Sequence, residues 1–91
     1  AEEALQFGLI NKVVPADQVM AECEKYAAMI CANGPLAVQA AKEAAINTYN
    51  MGWSEAFSTE AVIAERIFKT ADAVEGPKAF AEKRTPVYHG K

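Results

Sequence analysis

The stretch PADQVMAECEKYAAMICANGP, residues 15–35, decides the fold class. Within it Ala16, Val19, Met20, Cys23, Tyr26, Ala27, Ile30 and Cys31 recur at spacings of three and four, the repeat of one face of a helix. Pro15 suits the first helical position, where its missing N–H has no intrahelical partner to lose. Asn33-Gly34-Pro35 makes a corner: Asn and Gly tolerate a left-handed cap, and Pro35 opens the next helix.

Downstream, residues 35 to about 49 read as a helix of small side chains. Ala37, Ala40, Ala41, Ala44 and Ala45 with Ile46 make a flat apolar face that another helix approaches closely. Asn50-Met51-Gly52 breaks it, Ser54 is the expected N-cap of the following helix, and Glu55 behind it favours the positive helix end. That helix runs to about Lys69. Its stripe of Phe57, Ala61, Ala64 and Phe68 is widened by Trp53, Ala56, Ile63 and Ile67 beyond what one small core covers, so part of it is expected to meet another chain or another part of a fold.

Upstream, AEEALQFG reads as a short helix closed at Gly8, with no capping residue before it, as in a chain cut from something longer. Leu9 to Val14 is a β-branched extended segment closed by Pro15, and no second strand exists for it to pair with. The expectation is an all-α chain of four to five helices plus one short extended segment, residues 1–91 forming a single unit. Of its apolar residues, 52% of the sequence, 19 are alanines, which favour helix over bulky core.

The closing stretch, TADAVEGPKAFAEKRTPVYHGK from Thr70 to Lys91, carries the candidate site. Thr70 caps a first turn, Gly76-Pro77 predicts a kink or restart, and a helix from Pro77 to Arg84 ends before Pro86 and an irregular tail. Phe80 and Lys83, three apart on a helix, share one face. A ring and an ammonium side by side suit a nucleotide, the ring against the base and the ammonium against a phosphate. The same pattern also fits a core anchor beside a solvated charge.

Other chemistry is sparse. Net charge is -3, with 9 basic and 12 acidic residues intermixed and no basic run, so nucleic acid is not an expected partner. Cys23 and Cys31 stand about 12 Å apart along one helix, too far to bridge, and read as buried reduced thiols of a reducing compartment. With His89 the only histidine, neither a metal site nor a Cys/His nucleophile is expected. Glu2-Glu3, Glu22-Glu24 and Glu55-Glu60 lack a frame for acid–base work, Ser54 and Ser58 lack a histidine partner, and no Gly-rich phosphate loop is present. No apolar run approaches the roughly 20 residues of a bilayer span. The chain is expected to be soluble and intracellular, with no catalytic residue of its own.

Three segments in order carry a resemblance. Residues 1–15, AEEALQFGLINKVVP, resemble the "A-x-E-A-L-x-x-G-L-V-N-x-V-V-P" segment of the enoyl-CoA hydratase (crotonase) family. Gly34-Pro35-Leu36-Ala37 with Lys42 is similar to its "P-x-A-x-x-x-x-K" helix, and Phe68 to Lys91 to its closing "F-x-T-x-D-x-x-E-G-x-x-A-F-x-E-K-R-x-P-x-F-x-G-K", with Tyr88 where Phe is usual. The resemblance implies the C-terminal helical trimerisation region of a crotonase α/β fold, whose β/α spiral core, with the oxyanion amides and catalytic carboxylates, is absent from these residues. It implies a parent lyase that adds water to a 2-enoyl-CoA, with acyl-CoA as substrate and no cofactor held by this chain alone. It further implies a trimer or dimer of trimers, and a cytoplasmic or, in a eukaryote, mitochondrial-matrix location. By position, Phe80 would lie beside the adenine and Lys83 near the phosphates of CoA at a neighbour's site, and Phe68 would line the acyl pocket. Isomerase, dehalogenase and hydrolase members share this region. A self-standing helical oligomerisation module is the reading from another class.

Overall fold

A computed structural model describes residues 1–91 as five α-helices and no strand: α1 Glu2–Gln6, α2 Val19–Cys31, α3 Pro35–Thr48, α4 Trp53–Phe68 and α5 Ala71–Ala81. The all-α expectation holds. α1 ends as Gly8 requires, with φ 71° and the paired bonds Leu9 N–H to Ala4 O (2.9 Å) and Gly8 N–H to Leu5 O (3.0 Å) that define a Schellman cap. Residues 9–14 are irregular, tied to α2 where Lys12 Nζ meets Glu22 Oε1 at 2.6 Å. Pro15 does not open α2. It precedes a single 3-10 turn, Ala16–Gln18, and the α-helix begins at Val19.

The corner between α2 and α3 differs from expectation in mechanism. No residue there is left-handed: Ala32 has φ -72° and Gly34 φ -57°, ψ 124°. Asn33 closes α2 instead with its side chain, Nδ2 donating to the Met29 carbonyl at 2.7 Å. Gly34 lies against the Tyr88 ring, where a Cβ would stand 3.6 Å away, an ordinary contact, so the corner does not depend on glycine. Pro35 takes the first turn of α3 as expected.

α3 and α4 pack on each other through Ala40 and Ile63, both buried, and Arg66 of α4 pairs with Glu43 of α3 at 2.7 Å. The alanine face allows that approach. Ser54 is not the cap of α4; Gly52 occupies that position, no side chain caps it, and the Ser54 carbonyl accepts the Ser58 hydroxyl at 2.9 Å. Thr70 does cap α5, its Oγ1 accepting from Ala73 N–H at 3.2 Å. Pro77 neither kinks the chain into two helices nor restarts it: α5 runs unbroken from Ala71 to Ala81. Gly76, ahead of the proline ring, has no Cβ to clash with it, which removes one part of the cost; the lost bond to the Ala73 carbonyl and the crowding of that carbonyl by the ring remain.

The molecule is a slab of 43 × 38 × 19 Å with a radius of gyration of 16.9 Å. A compact chain of this length would have about 12 Å. Only Gly34, Ala40, Ile63, Asp72 and Ala79 are buried. Trp53, Phe57 and Phe68 are exposed, as the over-wide stripe of α4 foretold. Both cysteines are exposed as well, against expectation: α2 packs chiefly on the 3-10 turn before it, and Cys23 and Cys31 only line open grooves, Cys23 beside residues 10–14 and Cys31 beside Pro86 and Tyr88.

Candidate functional site

The candidate site sits where α5 ends. Ala79, at 1% exposure, turns inward, and its neighbour Phe80, at 87%, stands almost entirely in solvent. Lys83 does not share a helix face with it, because the helix stops at Ala81 and Lys83 lies two residues beyond. A different device sets the turn between them. Arg84 N–H bonds to Ala79 O (3.0 Å) and Lys83 N–H to Phe80 O (3.1 Å), a second Schellman cap, so Lys83 is folded back onto the backbone of Phe80. The Lys83 ammonium has no ion-pair partner within the chain.

In α1 the left-handed position of this motif is filled by Gly8; in α5 it is filled by Lys83, φ 54°, the only non-glycine residue with positive φ. A side chain there costs roughly 1–2 kcal/mol. Replacing Lys83 with Gly should therefore raise the thermal midpoint, by about 0.5–1 kcal/mol of stability once the extra freedom of the unfolded glycine is subtracted, whereas Lys83→Ala should not. Equal midpoints for the two variants would show that the cap is not strained.

Behind Lys83 the chain is clamped. Arg84 makes a forked pair with Glu75, Nη1 to Oε1 at 2.5 Å and Nη2 to Oε2 at 2.9 Å, and its Nε reaches Glu82. Glu75 also accepts the Val87 N–H at 2.8 Å. The guanidinium first, then that backbone bond, pull the Glu75 carboxyl down to about 2 from 4.5. A depressed carboxyl contributes stability that is present above its ordinary value and lost as pH falls through the folded value, so the clamp should hold to about pH 4 and open towards pH 2. The Val87 amide resonance should titrate with a midpoint near 2; one near 4.5 would mean that the clamp does not form in solution.

One turn earlier, buried Asp72 (7% exposed) holds the tail, its two carboxylate oxygens accepting His89 N–H and Gly90 N–H, both at 2.8 Å. Asp72 N–H donates to Lys91 O at 3.1 Å, and the Tyr88 ring fills the space between Gly34 and Gly76. The tail is irregular, as expected, but it is fixed. Asp72, Glu75, Arg84 and Tyr88 are the structural framework of the tail that composition and periodicity missed; the D-x-x-E-G and K-R-x-P portions of the closing pattern were the available signal.

Phe68, 78% exposed, lies elsewhere, on an open apolar groove of about 200 Å³ between α3 and α4 with Ala37, Ala41, Ala44, Ile63 and Ile67. Neither Phe80 nor Lys83 lines that groove. No group of three or more His, Cys, Asp and Glu residues is placed to hold a metal ion, and no helix is long and apolar enough to cross a membrane.

Comparison with known proteins gives these features a setting. A sequence model described as enoyl-CoA hydratase/isomerase matches residues 1–91. Enoyl-CoA hydratase EchA19 of Mycobacterium tuberculosis is 44% identical over 91 residues, all of this chain and 34% of that protein. Carnitinyl-CoA dehydratase of Escherichia coli K12 is 38% identical over 95 residues, 36% of its length. Among solved structures, an enoyl-CoA hydratase from Bacillus anthracis superposes with a TM-score of 0.96 at 38% identity, over all of this chain and 35% of its own. The chain thus spans about a third of the length of these relatives, and corresponds to their C-terminal third.

Proposed function

This chain belongs to the enoyl-CoA hydratase/isomerase family, and from that premise we propose that it forms the C-terminal helical part of an enoyl-CoA hydratase. The parent reaction adds water across the double bond of a 2-enoyl-CoA to give a 3-hydroxyacyl-CoA. In such a reaction oxyanion donors stabilise the enolate and carboxylates handle water and proton. Those groups lie outside the 91 residues, which contribute subunit contacts and part of the CoA site. The observation that supports this reading is an exposed ring, Phe80, three residues before a lysine, Lys83, that has no ion-pair partner in the chain, near the end of a chain matched over its full length. The names of the relatives, hydratase and dehydratase, favour gain or loss of water over dehalogenation or hydrolysis.

Phe80 would lie against the adenine and Lys83 against the phosphates of CoA bound at a neighbouring subunit. Phe68 and the groove beside it would face acyl chain or subunit. The uncovered faces of α2 and α4 would be closed by the catalytic core and by sister subunits of a trimer or dimer of trimers. The enzyme would work in the cytoplasm or in the mitochondrial matrix.

Two measurements test this. The 91-residue chain should bind CoA weakly, with Lys83→Ala loosening that binding, and should not hydrate crotonyl-CoA. Hydration that scales with its concentration would overturn the assignment of the chemistry to residues outside it. The exposed apolar stripe also supports a bare oligomerisation module. That reading gains if no variant and no concentration shows CoA binding, while light scattering shows a defined oligomer.

A further inference from the structure

We infer that Glu75 is a positioning residue for Lys83, fixing through Arg84 the backbone turn that presents the lysine ammonium to a nucleotide phosphate. The inference rests on the CoA reading above and extends it to a residue that would touch no ligand. Lys83 is the one side chain in the protein held in a left-handed conformation, and such residues persist where their surroundings over-determine them. Here the surroundings are visible on both sides. Before Lys83, α5 fixes the Ala79 and Phe80 carbonyls that accept from Arg84 and Lys83. After it, both arms of the Arg84 guanidinium are gripped by Glu75, which reaches on to the Val87 N–H and stops the chain from swinging away. A lysine on a mobile turn would pay the ordering entropy of that backbone on binding; here the backbone turn is already set by the fold.

A double-mutant cycle read by CoA affinity tests it in the full-length protein, with Glu75→Gln and Lys83→Ala. Gln keeps the size of the side chain and its acceptor for Val87 but loses the charged fork to Arg84. With Lys83 present, Glu75→Gln should weaken CoA binding about fivefold, the upper range for an exposed ion pair. In the Lys83→Ala background it should weaken binding no further. A purely structural role predicts the same loss in both backgrounds, and that result, or no loss in either, overturns the inference. If Glu75→Gln does not fold, Arg84→Lys asks the same question, because a single ammonium pairs with Glu75 without the fork; its loss of affinity should again vanish without Lys83. Failure of the parent reading looks different: Lys83→Ala alone would then leave CoA affinity unchanged.

Discussion

Asp72→Ala should free the last residues of the chain and lower stability by about 2–4 kcal/mol. The carboxylate is buried and accepts two backbone N–H groups, from His89 and Gly90, each at 2.8 Å. Removing it leaves both donors without a protein partner, and each charge-assisted bond is worth roughly 1.5–3 kcal/mol before hydration and relaxation of the tail recover part of the loss. Asp72→Asn should cost about half as much, since its single carbonyl oxygen satisfies one donor and its NH2 faces the other. Thermal unfolding gives the energy. Limited trypsinolysis after Arg84 gives the mechanism: cleavage should accelerate in both variants, more in Ala than in Asn. An unchanged midpoint with an unchanged cleavage rate would mean that Asp72 does not hold the tail.

This tether also marks where sequence reading stops. The helices were legible because their evidence is local: the period of Val19 to Cys31, the alanines of α3, Thr70 as a cap, Gly8 as a left-handed stop. Ser54 was misread because a good capping side chain stood one residue past the observed helix start, and Gly52 took the position with backbone alone. Pro77 was misread because the rule against proline in helices ignores the relief that a preceding glycine provides. Asp72 could not be recognised from periodicity at all. Its partners lie 17 and 18 residues away in a segment with no repeat, and an aspartate in the first turn of a helix already has a sufficient local explanation in the helix dipole.

The geometry of the candidate site was not legible in the sequence. Phe80 and Lys83 were chosen for a helix face that does not exist, since α5 ends between them. What sets the turn between them is a capping motif whose left-handed residue is a lysine, a choice that no propensity scale would make. The cysteines fail for a related reason. Burial was inferred from a period, but a period states only which residues share a face, and within the 91 residues Cys23 and Cys31 are exposed.

That distinction gives Phe80 its decisive test. As a nucleotide platform, its replacement by Ala should weaken CoA binding about tenfold or more, since stacking of a base on an aromatic ring is worth about 1–3 kcal/mol by alanine substitution. Stability should barely move, within roughly 0.5 kcal/mol, because a ring that is 87% exposed gives up almost no packing inside this chain. Phe80→Trp should keep the affinity, and a pantetheine thioester without the nucleotide should bind wild type and Phe80→Ala alike. The rival reading, an anchor that packs into another part of a larger fold, makes the opposite pair of statements. In that case Phe80→Ala in the full-length protein loses about 3 kcal/mol or more of stability, as for a buried phenylalanine, and affinity for CoA and for the pantetheine thioester fall together. Titration of both ligands beside a melting curve separates the two, and a Phe80→Ala protein that melts early while binding both ligands equally poorly would remove the nucleotide role.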